Sequence, residues 1–422
     1  MNNLSLLEST TYIEDAALNP EAIRKKFPVV AGNEETLFFD NASTSQTPTP
    51  VIDCIRSFYE SECSNVARAS YSRATALSAK VESARVKVAE FLNADKDDIA
   101  FTGGATESLN MVAMSWGMHN LDDGDEIMIC HEDHHSAVYP WLNLKETLSR
   151  FGKEIKLVDF DLHPSGVYDW QDIKNKLSSK TRLIALSHIH HLYGMEMDIA
   201  EIKAILPENV LVALDASQSA GHIKIDVQTL GADFVSFSGH KMYAANGVGI
   251  LYSKKEVRET MWPARAGSKT AFKNDADELK LTSSRLASII ECGTLNIPGI
   301  LSMTPAIDFI NSVSLEKMES YISDLTRHLL AKLKELPGIE FAPGIGICGC
   351  TKGFGIISFK FKNMESSDLA AFLDSEDIEV RAGDHCRGLK EDGDDYIRVS
   401  LQIYNTVEEI DYFAEVLEDA CH

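Results

Sequence analysis

The feature that most constrains this chain is an alternation of short apolar runs with longer amphipathic stretches. "LFFD", "IAFTGG", "DEIMIC", "RLIALSH", "NVLVALDAS" and "DFVSFSG" are runs of strand length, and "LSAKVESARVKVAEFL" and "SLNMVAMSW" lie between them. In the first of these stretches Val81, Ala84, Val88 and Phe91 recur at steps of three and four, which marks one face of a helix. Strands that are apolar on both sides and separated by helices predict a mainly parallel sheet covered on both faces, from about residue 36 to 300. After Pro298 the pattern changes. "TPAIDFINSV" and "MESYISDLTRHLLAKLKEL" read as helices, "GIISFKF", "IEVRAG" and "YIRVSL" as strands, and a closing helix starts near Val407. The expected organisation is therefore α/β: a large unit over 36–300, and a smaller α+β unit built from 1–35 and 301–422. A chain of 422 residues suits roughly two domains of about 100–200 residues.

A formal charge of −24 argues against nucleic-acid and anionic-membrane partners, both of which demand a cationic surface. The opening residues lack the basic start and apolar core of a signal peptide, and no apolar run is long enough to span a bilayer. Eight cysteines without a repeated spacing are not a disulfide framework, so a reducing, cytoplasmic setting is expected.

In open parallel sheets, ligands gather at the carboxyl ends of strands. "IAFTGGATESLN" runs from a strand through Gly103 and Gly104 into a helix that starts at Ala105 and Thr106. Free N–H groups and the helix dipole there suit a phosphate, although a glycine turn with a threonine cap reads the same way. "VLVALDASQSAG" ends an apolar strand in Asp215, with Gln218 close behind. A carboxylate emerging there is either a helix cap or the partner of a protonated ring nitrogen. "DFVSFSGHKMY" ends the next strand in Ser238, His240 and Lys241. A desolvated lysine has a lowered pKa and becomes an amine nucleophile suited to Schiff-base chemistry. Phosphate, ring nitrogen and aldehyde carbon are the three points by which pyridoxal phosphate is held.

With "DHHSAVYPW", "ECGTLN", "VRAGDHC" and "RVSLQIYNT" added, the set resembles the class V, fold-type I pyridoxal-phosphate enzymes, and most of all their cysteine desulfurases of the SufS type and selenocysteine lyases. The likeness runs from about residue 36 to 415. It implies a large domain with a seven-stranded, mainly parallel sheet between helices, and a smaller α+β domain. It also implies that Lys241 bonds the cofactor aldehyde, Asp215 pairs with the pyridine nitrogen, and Gln218 and His191 lie near the ring hydroxyl. Ala105 through its amide, Thr106, Ser238 and His240 would bind phosphate, and Thr294 would reach over from the second subunit of a homodimer. His134 would stack on the ring and move protons. The "DNAST" segment Asp40–Thr44, with Ala42 at its centre, would line the substrate pocket, and Arg381 and Arg398 would grip the carboxylate of an amino-acid substrate.

Cys386 follows an apolar strand on a loop between His385 and Arg387. Cationic neighbours favour a thiolate, and the resemblance makes this residue the acceptor of sulfur from L-cysteine, leaving L-alanine and an enzyme persulfide for a sulfur-acceptor protein. The chain also departs from the family. His191 stands where the desulfurases carry asparagine, Ala105 replaces a threonine, and "AANG" and "RAGSKT" replace a glycine-proline turn and a glycine-rich loop. Another class V activity, whether C–S lyase, epimerase or aminotransferase on a different amino acid, therefore stays open. "HEDHH", "HIHH" and the Cys348–Cys350 pair match no zinc spacing, and no metal is expected.

Overall fold

The computed structural model describes residues 18–66, 70–268, 270–275, 278–345, 353–388 and 395–420. Seven strands form the central sheet: β1 (Ile99–Thr102), β2 (Glu126–Ile129), β3 (Lys156–Asp159), β4 (Thr181–Ser187), β5 (Leu211–Asp215), β6 (Phe234–Ser238) and β7 (Gly249–Ser253). Their spatial order is β1-β7-β6-β5-β4-β2-β3. Only β7 runs against its neighbours, so the carboxyl ends of β1, β2, β4, β5 and β6 open on one edge. Strand β7 starts so close to the first glycine turn that a Cβ at Gly249 would stand 2.4 Å from the Gly104 Cα. Glycine is what lets the two backbones meet there.

The helix expected around Val81 is α1 (Ser72–Leu92), with Val81, Ala84 and Val88 buried and Phe91 half-buried against the core. Helix α2 (Ala105–Val112) follows β1, and α3 (His135–Arg150) follows β2. Beyond the sheet come α4 (Ile297–Val313) and α5 (Leu315–Glu335). The small layer holds an antiparallel sheet, β8 (Ile339–Phe341), β9 (Ile356–Phe361), β11 (Tyr396–Ser400) and β10 (Arg381–Gly383) in spatial order. Helices α6 (Ser366–Ser375) and α7 (Val407–Ala420) complete it. Among the described residues, no helix is long and apolar enough to cross a membrane.

Two expectations need correcting. "LFFD" does not join the central sheet: Leu37–Phe38 pairs in parallel with Ile378–Glu379, and Leu37 and Phe39 pack into the small core. Conversely, Ile23, Phe27 and Val30, expected in the small unit, pack into the large core, where Phe27 meets Tyr404 and Phe309 at centroid distances of 4.7 and 5.4 Å. Helix α4 also belongs to that core, so a boundary between residues 300 and 301 would cut a helix. We propose that the units divide within α5, whose Met318 and Ile322 face the large core and whose Leu325, Leu329 and Leu333 face the small one.

A buried ion pair ties α1 to the sheet. The Arg85 guanidinium forks onto Glu291 at 2.6 and 3.1 Å and donates to the Ile99 carbonyl at 3.1 Å. Glu291 in turn accepts from the Phe101 amide at 3.0 Å. Removing one partner of such a pair leaves an uncompensated charge, so Glu291→Gln should destabilise the protein by about 3–5 kcal/mol. The exposed Arg327–Asp324 pair is the control, and its loss through Arg327→Ala should cost no more than about 1 kcal/mol. Denaturant unfolding of both variants checks the contrast; equal midpoints would refute it.

Candidate active site

One cavity collects the strand ends. It is lined by Ala105 and Thr106 after β1, His134 and Ser136 after β2, Ile189 and His191 after β4, Asp215, Ser217 and Gln218 at β5, and Ser238, His240 and Lys241 at β6. The small layer and the "DNAST" segment close it with Arg381, His385, Arg398, Ala42 and Ser43. Of the residues nominated from sequence, Thr294 and Cys386 are not in this lining. Thr294 is exposed, whereas Cys386 is half-buried and joined to the cavity wall through Arg381.

At the first glycine turn the Ala105 amide donates to Ser238 Oγ at 2.9 Å, and Thr106 Oγ1 lies 2.7 Å from Ser136 Oγ. Hydroxyls and a helix-start amide thus converge on one corner. His240 sits beside it, its Nδ1 3.2 Å from Thr44 Oγ1, and burial pushes its pKa down to about 4. Asp215 accepts the Ser217 amide at 2.9 Å. Gln218 reaches across to donate to the Ala42 carbonyl at 2.8 Å, so it also fastens the "DNAST" segment to the floor.

Lys241 answers to opposing fields. Desolvation lowers its pKa most, Asp215 raises it, and Arg398 and Arg381 lower it again, leaving it near 8. The amine is therefore neutral far more often than a surface lysine. His134 is pushed down to about 3, by burial first and Lys241 second, so it is neutral at pH 7. The Ser136 amide donates to His134 Nδ1 at 3.1 Å, which puts the imidazole proton on Nε2. His191 meets His134 edge-on at 5.2 Å and is also held neutral by burial. Both its ring nitrogens are buried with no hydrogen-bond partner.

Arg398 and Arg381 face each other across β11 and β10. Arg398 is 2% exposed and spans three groups: Nη1 donates to the His191 carbonyl at 3.0 Å, and Nη2 to Asp40 at 3.1 Å and Ser43 Oγ at 2.8 Å. Arg381 donates through Nη1 to Ser43 at 3.0 Å and through Nη2 to Cys386 Sγ at 3.3 Å. The expected cationic role of His385 is corrected here. Burial drops its pKa to about 3 and its Nε2 faces the Tyr396 carbonyl at 2.9 Å, so the cation at the sulfur is Arg381.

The sequence reading missed Ser136 and Ser217, each one or two positions from a nominated residue, whereas Ser43 lies in the "DNAST" segment it placed at the pocket. It also missed a buried layer under the site. There Tyr168 Oη donates to the Asp133 carboxylate, with its oxygens at 2.7 and 2.9 Å, and burial raises that carboxyl to about 7. The histidine clusters are divided among separate tasks: His131 pairs with Asp159 at 2.8 Å, His188 with Ser219 at 3.0 Å, and His190 with the Glu132 carbonyl at 3.0 Å. Cys348 and Cys350 lie outside the described residues.

The geometry has relatives. A family model described as aminotransferase class-V matches residues 37–413. A probable cysteine desulfurase of Halalkalibacterium halodurans is 34% identical over 95% of this chain and 98% of its own length. Among solved structures, the apo cysteine desulfurase of Thermococcus onnurineus NA1 superposes with a TM-score of 0.86 at 31% identity, covering 95% of this chain and 98% of that one. The cysteine desulfurase CsdA of Escherichia coli, in an S-sulfonic acid form, gives 0.85 at 29% identity, covering 96% and 99%. A match across nearly the whole layered fold, with the strand ends that carry Asp215 and Lys241 inside it, makes this chain a member of the class V aminotransferase family.

Proposed function

We propose that the protein is a pyridoxal-phosphate-dependent cysteine desulfurase that moves sulfur from L-cysteine onto Cys386. One observation carries the reading: the Cys386 sulfur is hydrogen-bonded by an arginine lining the same cavity that holds the low-pKa Lys241 beside Asp215. The lining suits the cofactor at each point of its chemistry. The Ala105 amide, Thr106, Ser238 and His240 gather donors for a phosphate. Asp215 offers a carboxylate to a ring N–H, and the two unpartnered nitrogens of His191 call for polar atoms of a bound molecule. When bound, the pyridine ring supplies the electron sink that acidifies the substrate Cα–H.

The chain's own groups do the rest. Lys241 spends enough time neutral to attack a carbonyl and, once free, to take the Cα proton. Arg381 and Arg398 hold the substrate carboxylate, with Ser43 and Asp40 fixing their planes. His134 presents an Nε2–H and starts neutral, so it relays a proton only after receiving one. The Cys386 thiolate forms the new S–S bond as the substrate C–S bond breaks, and alanine leaves after protonation. A sulfur-acceptor protein then removes the persulfide sulfur. We infer a homodimer in which the exposed Thr294 serves the phosphate site of a second copy, and a reducing cytosol that keeps Cys386 free.

Two outcomes test this. Incubated with L-cysteine, the protein should form alanine and a persulfide on Cys386, and Cys386→Ala should cut alanine formation by on the order of 10³-fold or more while leaving cofactor capture intact. Pyruvate and ammonia as the products would point to a C–S lyase instead. Covalent capture of pyridoxal phosphate by the apo-protein, read by visible absorbance and borohydride fixing at Lys241, should speed up about tenfold per pH unit below about 8 and level off above it. The neutral amine is the reactive form, so the sign is a rise with pH. A flat profile would remove Lys241 from the reaction.

A further inference from the structure

Cys386 is held in an uncommon backbone conformation. It and His385 both have φ of +57°, a left-handed region that side chains other than glycine rarely occupy. Two such residues in a row persist only where the surroundings over-determine them. The Cys386 amide turns back onto Asp384 Oδ1 at 3.0 Å, but most of the restraint comes from the turn that carries His134. His134 and Arg387 form an antiparallel bridge. The His135 amide donates to the Cys386 carbonyl at 2.9 Å, and the Gly388 amide to the Asp133 carbonyl at 2.9 Å. His135 Nε2 lies 3.0 Å from the Arg387 carbonyl. Contact is so close that a Cβ at Gly388 would stand 1.8 Å from the His131 carbonyl oxygen.

Side chains lock the same junction from beneath. Arg387 is 6% exposed, and its Nη1 is 3.8 Å from Glu132 Oε2. Tyr193 donates its hydroxyl to that same oxygen at 2.8 Å and lies flat on His190, with centroids 4.4 Å apart and planes 13° apart. His190 in turn holds the Glu132 carbonyl, and the Arg387 guanidinium sits 5.8 Å from the Tyr396 ring. The cluster therefore joins the ends of β2 and β4 to the loop after β10. None of its members lines the cavity.

We propose that the Glu132–Arg387 ion pair, backed by Tyr193, is a positioning clamp that fixes the Cys386 loop to the His134 turn and so holds the sulfur at the cavity rim. The inference rests on the reading of Cys386 as the sulfur acceptor and names the residues that aim it. Glu132 and Arg387 act through the loop and do not touch the reacting atoms. A displacement of about 1 Å at a reacting centre is enough to cost on the order of 10²-fold in rate.

The test compares the holoenzyme with Glu132→Gln, Arg387→Gln and the double variant Glu132→Gln/Arg387→Met, which removes both charges of the pair together and keeps the comparison readable where a single variant unfolds. Three quantities are measured: amide hydrogen exchange across 384–388, alanine formation with its kcat and KM, and exchange of the substrate Cα hydrogen with deuterated solvent. The clamp predicts faster amide exchange in the loop and a kcat lowered by on the order of 10–10²-fold. KM and Cα exchange should stay within about twofold of the parent, because cofactor capture and proton abstraction do not need the loop. Parent-like loop exchange and kcat in the double variant would overturn the proposal. If the parent makes no persulfide on Cys386 while the variants still lose loop protection, the desulfurase reading fails and the clamp stands.

Discussion

The structure depends on keeping one lysine amine uncharged part of the time inside an acidic protein. Burial alone would drive Lys241 toward neutrality, Asp215 pulls it back, and the two arginines across the cavity push the other way. The balance leaves it near pH 8, where an amine is both available as a nucleophile and able to carry a proton. Every histidine with a resolved shift in the lining is held neutral by its surroundings. The formal charges there reduce to Lys241, Arg381 and Arg398 against Asp215, a cationic pocket in a chain of net charge −24. That local excess is what phosphate and carboxylate groups require, and it is invisible in the overall charge.

Two layers are needed to produce this field. The sheet edge delivers Asp215, Ser238 and Lys241 from consecutive strands, while both arginines stand on the antiparallel sheet of the small layer. The "DNAST" segment couples them: Asp40 and Ser43 bind Arg398, Ser43 also binds Arg381, and Ala42 is fastened to Gln218 on the large layer. A shift of the small layer would therefore move both arginines and the field on Lys241 together.

Much of this was legible in the sequence because it follows strand ends. The apolar runs mark where β1, β5 and β6 stop: Asp215 and Ser238 are the last residues of β5 and β6, and Ala105 and Lys241 follow three positions after β1 and β6. What escaped depends on partners distant in sequence. "LFFD" has strand composition, but its partner is Ile378–Glu379, more than 300 positions away. The edge strand β3 is only partly buried and carries Lys156 and Asp159 at its ends, so its pattern was too weak to single out. His385 looked cationic beside Cys386, and only its burial against the Tyr396 carbonyl makes it neutral. The Asp133–Tyr168 and Glu132–Tyr193 contacts likewise join the turn after β2 to residues 35 and 61 positions on.

His191 shows how such a departure can be absorbed. An imidazole with both nitrogens buried and unpartnered is costly, by about 1–3 kcal/mol for each lost hydrogen bond, unless a ligand completes it. Its neutrality lowers that cost, because a buried imidazolium would lie beside Arg398 and Lys241. Its backbone is already used, since the His191 carbonyl accepts from Arg398. The residue therefore anchors Arg398 through its main chain and offers the cavity a neutral donor and acceptor through its ring. An asparagine side chain also offers one donor and one acceptor group, but is smaller. Against the asparagine that the resemblance implies for this position, histidine keeps the hydrogen-bonding character of the wall and changes its bulk, so its effect belongs to pocket shape more than to charge.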